Sequence, residues 1–297
     1  MRSHWLSIVV ITSLATVAFG RSPGLDLAQA EALYQRTEYG RAIDALQALQ
    51  GTGTAADALL GKAFFMDGQY KQAVTSFEKA IGQDSVSSEY YDWLGRAYGR
   101  LAEQSSFLSA LGYARKTVRA FERAVELDPS NLEALSDVFE YYLQAPGMAG
   151  GGLDKAENIA RRYAGLNAAE YHWALARLAE KRKDFETAGR EFRAALSADP
   201  NEVGRQLDLA AFLSSRGRYG ESDAIFRAAE EHDPRPPKAL YAHAAANIQS
   251  KRNLEQAEAL LDRYLAMQIT PEDPSRGEAV ALLQSARQLR PKCRATE

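Results

Sequence analysis

One pattern occurs twice, 34 residues apart, between Tyr171 and Pro234. Leu175-Ala176, Phe185, Ala188, Phe192, Ala195 and Asp199-Pro200 recur as Leu209-Ala210, Tyr219, Ser222, Phe226, Ala229 and Asp233-Pro234. A fixed period of this length specifies a stacked repeat whose unit is one supersecondary element. Ala188, Phe192 and Ala195 follow one another at spacings of four and three, which puts them on one helix face. Leu175, Leu178 and Ala179 do the same for the stretch Tyr171–Lys181. The small residues Ala176 and Ala188 let the two helices approach, and Phe192 fills the space that remains. Pro200 has no N–H and pushes Asp199 out of the α region, so the chain turns there. One such hairpin cannot bury its apolar face alone, and its neighbours must stack on it.

These copies resemble the tetratricopeptide repeat, two antiparallel helices with an aspartate-proline step leading out. The resemblance implies an all-α, right-handed superhelical solenoid that binds peptides or proteins. It carries over no catalytic residue and no cofactor. Seven units can be traced, at about 25–50, 55–82, 89–129, 132–166, 169–200, 203–234 and 238–270. The second shows Leu60-Gly61, Phe64, Tyr70, Ala73, Phe77 and Ala80; the third shows Trp93-Leu94-Gly95, Tyr98, Phe121, Ala124 and Asp128-Pro129. The third is too long over Ala102–Gly112, an excess that reads as extra helical turns plus a longer connection. In the fourth, Phe139 stands where other copies have Gly or Ala, which predicts splayed helices, and Ala145–Gly152 lengthens the turn. Both inserts fall between the first and second helices of adjacent repeats, so they should lie along one edge. Ser275 to Leu289 reads as a final capping helix: Ser275 and Glu278 form a capping-box pattern, and Ala279, Leu282, Leu283 and Ala286 give one apolar stripe. A solenoid of residues 21–290 leaves no room for a second domain, and the tail 291–297 reads as disordered.

Residues 1–20 stand apart. Arg2 and His4 precede the apolar run Trp5–Phe19, and Ala18-Phe19-Gly20 places small residues where a signal peptidase reads. The expectation is a secretory signal cleaved after Gly20, and a mature protein in the periplasm or outside the cell. The competing reading, a membrane anchor, meets a run shorter than the roughly 20 residues a span requires. Contact with a membrane is then expected only through a partner. The net charge of -3 argues against a general electrostatic grip on nucleic acid.

Signs of chemistry are sparse. His172, His232 and His243 show no metal-binding spacing with one another or with cysteine. His243 reads as a surface or partly buried side chain. Gly147 to Lys155 superficially resembles a phosphate loop, but a helix precedes it and Leu153-Asp154 intervene, so it reads as a helix–helix turn. Cys293 is the sole cysteine and can form no intramolecular disulfide. No nucleophile with its base is visible, and the chain is not read as an enzyme.

The resemblance also says where a ligand would go. In this family the first helix of each repeat lines a concave groove. Its free side carries Lys62 and Phe65 in repeat two, Asp92, Arg96 and Arg100 in repeat three, Glu140 in repeat four, and Trp173, Arg177 and Lys181 in repeat five. Lys62, Arg96 and Arg177 occupy equivalent places. Basic groups beside aromatic rings suit an extended peptide with acidic segments. Some family members grip a terminal carboxylate with lysines; here Ala58, Asp92, Ser136 and Trp173 hold one of those places, and that clamp is not carried over. The expected function is an exported scaffold for a protein or peptide partner, in envelope assembly, secretion or polymer export. The alternatives are a self-associating structural protein and an enzyme with its site on the inserts. The expected oligomeric state is a monomer or weak dimer.

Overall fold

The computed structural model describes residues 26–49, 53–232 and 236–290. The signal segment, Asp233-Pro234, Cys293 and the tail lie outside these residues. The described chain holds fifteen α-helices and no strand. They pair as α1 (Leu27–Gln35) with α2 (Tyr39–Gln47), α3 (Thr54–Met66) with α4 (Tyr70–Gln83), and α5 (Ser88–Glu103) with α6 (Phe107–Leu127). Next come α7 (Leu132–Gln144) with α8 (Leu153–Tyr163) and α9 (Ala168–Lys181) with α10 (Phe185–Ala198). The series ends with α11 (Val203–Ser215) and α12 (Tyr219–His232), then α13 (Pro237–Gln249) and α14 (Leu254–Ala266), then α15 (Arg276–Leu289) alone. Consecutive helices pack on one another. First helices also touch the next first helix along most of the stack, whereas second helices make no comparable contact with each other. A curved stack has its crowded layer inside, so the first helices form the concave face.

Five of the seven hairpins share one turn. Thr37, Gly68, Lys183, Gly217 and Lys251 each adopt positive φ immediately after a first helix. The N–H of the following residue then reaches back to close the helix end, as in Gln69 to the Phe64 carbonyl and Asp184 to the Ala179 carbonyl. This is the Schellman arrangement, in which one left-handed residue satisfies carbonyls the helix leaves open. Glycine fills that position in only two copies. The other three accept a left-handed L-residue, a conformation that costs roughly 1–2 kcal/mol.

The two remaining hairpins carry the inserts. The excess in repeat three becomes helix: α6 runs for 21 residues. The expected longer connection is absent, since only residues 104–106 separate α5 from α6. The glycine-rich turn forms a short 3-10 helix, Gly147–Ala149, that docks against α6. Ala149 is buried, and the Tyr141 hydroxyl is within donating distance of the Ala114 carbonyl (2.7 Å) and the Ala149 carbonyl (2.6 Å). A Cβ on Gly151 would stand 1.9 Å from the Ala145 carbonyl oxygen, so only glycine passes there. Lys155 donates to the Gly150 carbonyl at 2.9 Å, closing the turn on itself. The glycine-rich turn is thus packed on α6 beside Ala114, two residues past the other insert.

The core follows the repeat positions. Ala42, Ala73, Phe77, Ala176, Ala188, Phe226 and Ala229 are fully buried. A Cβ on Gly61 would lie 2.8 Å from the Phe77 ring, and one on Gly95 would lie 2.5 Å from the Phe121 ring. Gly95→Leu is therefore expected to lower stability by about 1–3 kcal/mol through overpacking. Chemical denaturation measures it, and a neutral result would show that Phe121 can leave its place freely. Phe139 is fully buried against Trp173, with ring centroids 5.4 Å apart. His243 departs from expectation, being 1% exposed. Its ring stacks on Phe226 at 4.7 Å, and its Nδ1 lies 2.8 Å from Glu230 of α12. The carboxylate supplies the polar partner that lets an imidazole be buried. Ser275 and Glu278 form the capping box of α15, whose Ala279, Leu283 and Ala286 cover the end of the core.

Candidate protein-binding groove

The concave face is charged, and its charges are paired across helices. Lys62 on α3 bonds Glu89 on α5, with its Nζ 5.4 Å from the Trp93 ring centre. Arg96 on α5 bonds Asp92 of its own helix at 2.9 Å and Asp137 on α7, and it lies 3.6 Å from Glu133. Its guanidinium stands 4.7 Å from the Trp93 ring centre. Arg100 donates to the Tyr70 hydroxyl at 3.1 Å and pairs with Glu103 at 2.9 Å. From the other side, Arg177 on α9 grips Glu140 on α7 with two bonds, of 3.0 and 3.2 Å, and pairs with Glu180 at 3.0 Å. Arg205 on α11 reaches Glu170 on α9 at 2.7 Å and Asp208 at 2.9 Å. Helix α7 accepts cations from both neighbours.

The expected site residues divide accordingly. Lys62, Phe65, Arg96 and Arg100 cluster on α3 and α5, with Phe65 edge-on to Tyr70 and Trp93, 5.4 Å from each. Glu140, Trp173 and Arg177 come together on α7 and α9. Lys181 is exposed in the last turn of α9. Asp92 is buried, not presented to a ligand, and its Oδ1 has no hydrogen-bond partner. Trp173 is only 9% exposed and forms floor, not surface. Lys62, Arg96 and Arg177 do not form an open basic track, because each already holds a carboxylate. An acidic partner segment would have to displace those carboxylates.

Sequence reasoning missed Glu89, Glu133, Asp137, Arg205 and Asp208. A signal existed for two of them. Asp137 and Asp208 stand three residues before Glu140 and Ala211, the places equivalent to Arg177 in repeats four and six. Burial pushes the Asp92 carboxyl up to about 7, helped by Asp137 and opposed by Arg96. Asp137 is also raised by burial, against the pull of Arg96. Burial raises Asp208 to about 6, with Arg205 and Arg177 pulling it down, and raises Glu170 as well.

Among the cavities on this face, two stand at the cross-helix charge clusters. One, of about 630 Å³, is lined by Tyr34, Lys62, Trp93, Arg96 and Glu133, and by Lys238 and Glu272 from the far end of the chain. The other, of about 370 Å³, lies between α7, α9 and α11 over Trp173, Phe192 and Phe212.

The sequence pattern of the tetratricopeptide repeat matches residues 27–88 and 148–203. No curated protein matches the chain significantly. Solved structures share its fold. A tetratricopeptide repeat protein from Parabacteroides merdae superposes with a TM-score of 0.57 at 14% identity, over 88% of this chain and 96% of its own. A thermophilic tetratricopeptide repeat protein from Thermus thermophilus gives 0.51 at 20% identity, over 63% of this chain and 96% of its own. Paired helices, the tetratricopeptide repeat pattern over residues 27–88 and 148–203 and these shared folds together make the described chain an all-α solenoid that resembles tetratricopeptide repeat proteins.

Proposed function

We propose that this protein is an exported interaction scaffold that holds an extended segment of a partner protein in its concave groove. The observation that carries the reading is the groove itself. Four successive first helices, α7, α9, α11 and α13, contribute residues to one open cavity with an aromatic floor and a polar rim. Concave sites that combine apolar floor with a few polar groups are where proteins take ligands. Export rests on Arg2, the run Trp5–Phe19 and Ala18-Phe19-Gly20, which favour cleavage after Gly20 and work in the periplasm or outside the cell. Envelope assembly, secretion and polymer export are the settings such a scaffold would serve.

Photo-crosslinking tests this reading. A photoreactive residue replacing Ala211, at the groove, should capture a partner that mass spectrometry identifies from the native envelope fraction. The same residue replacing Arg190, 64% exposed on the outer helix α10, should not. Capture of one identified partner from Arg190 alone would place binding on the convex face and end the groove reading.

A further inference from the structure

The rim of the smaller cavity specifies a charge. We propose that the pocket between α7, α9 and α11 receives a basic side chain, lysine or arginine, of the bound segment; this rests on the groove reading and adds the partner's chemistry. The floor is aromatic, with Trp173 beside Phe192 and Phe212, whose ring centres lie 5.2 Å apart. Ala211, where an equivalent repeat carries Arg177, leaves the opening above them. The rim carries Glu140 from α7, Glu180 from α9 and Asp208 from α11.

The cations present do not balance these groups. Arg177, the only basic residue of the lining, directs a donor from each of its three nitrogens at Glu140 or Glu180. Arg205, just outside, bonds Asp208 and Glu170 and lies 3.5 Å from Glu202. Five carboxylates therefore share two guanidinium groups. Glu180 Oε1 and Asp208 Oδ1 have no partner among the described residues. Burial raises the Asp208 carboxyl, with Arg205 and Arg177 pulling it down, so a second cation beside it would be met by a carboxylate that gains from one. An ammonium or guanidinium entering over the rings would meet open carboxylate oxygens and aromatic faces, both of which attract cations. An acidic side chain would meet three carboxylates and an arginine already engaged. The Gln249 side-chain amide on the wall makes no hydrogen bond within the described chain and suits the backbone of an extended segment.

Fluorescence anisotropy with the full-length protein tests the proposal. The probes are labelled short peptides that alternate arginine with alanine, or glutamate with alanine. The arginine peptide should bind about tenfold or more tightly than the glutamate peptide. The double variant Glu180→Gln, Asp208→Asn keeps side-chain shape and leaves Arg177 and Arg205 paired to Glu140 and Glu170. It should weaken the arginine peptide about tenfold, with circular dichroism unchanged. The variant Glu126→Gln, Glu255→Gln removes the same charge from exposed sites elsewhere and should leave affinity within about twofold. Preference for the glutamate peptide, equal loss in both double variants, or no binding of either peptide would overturn the proposal. If the Ala211 crosslink then still captures a partner, the groove stands and only its basic chemistry falls; if the peptide result holds while the crosslink fails, the reverse is true.

Discussion

Arg96→Ala lowers the unfolding free energy by about 3–5 kcal/mol at pH 8, because it strips a buried charge cluster of its only cation. Asp92 is 2% exposed in its side chain, and Arg96 is the cation bonded to both it and Asp137. Without the guanidinium, two neighbouring carboxylates must stay charged in a poor medium or take up protons. The folded protein already holds the Asp92 carboxyl near 7, above its ordinary 3.8, chiefly through burial. A carboxyl raised on folding binds a proton more readily in the native state, so its contribution favours folding at low pH and is lost as pH rises from about 4 through about 7. The penalty of Arg96→Ala should therefore be smaller at pH 5 than at pH 8, since the Asp92 carboxyl, held near 7, is then protonated. Urea denaturation at the two values measures it. A loss under about 1 kcal/mol at pH 8, or one that ignores pH, would show that the cluster is solvated.

Phe139→Ala is expected to cost about 3–5 kcal/mol, although it puts the residue usual for the repeat where a bulky one stands. Phe139 is fully buried, and its ring meets Trp173 at 5.4 Å. It joins repeat four to repeat five under the groove. The core around it includes Leu135, Leu143, Tyr163 and Ala174, all on helices fixed by other contacts. Alanine would leave a cavity there, because α7 is also held by Arg96 and Arg177 from opposite sides. Thermal or urea denaturation decides the point. A neutral or stabilising result would mean that α7 and α8 close onto the alanine as the regular hairpins do.

These two residues show what was legible in the sequence. Phe139 was visible because the small residue of the repeat is a strong constraint: Gly95 fits only beside Phe121, and Gly61 only beside Phe77. Positions that pack within one hairpin keep fixed spacing and can be read along the chain. The same holds for the cap at Ser275, which is local. Arg96 was seen as a groove residue but not as half of a cross-helix cluster. Its partner Asp137 is 41 residues away, and their meeting depends on how one repeat rotates on the next. That rotation has no local signature. The turn was hidden for another reason. Lys183 and Lys251 take left-handed conformations that lysine disfavours, so the residue type gave no warning. His243 was misjudged because its burial depends on Glu230, which belongs to the preceding repeat.

The bond system around Tyr141 has a consequence for how such a chain can vary. Tyr141 of α7 faces the Ala149 carbonyl in the glycine-rich turn and the Ala114 carbonyl on α6, two residues past the insert Ala102–Gly112. Trimming the added residues up to Gly112 would leave in place Ala114 and Val118, the residues of α6 that face Tyr141 and Gly150. Trimming the turn would bare the flank of α6 and leave Tyr141 half satisfied. The glycine-rich turn thus depends on the regular part of α6 and not on its added turns: relatives that lack the added turns can keep the glycine-rich turn with Tyr141, and a family tree in which the two additions are always gained and lost together would contradict the contact.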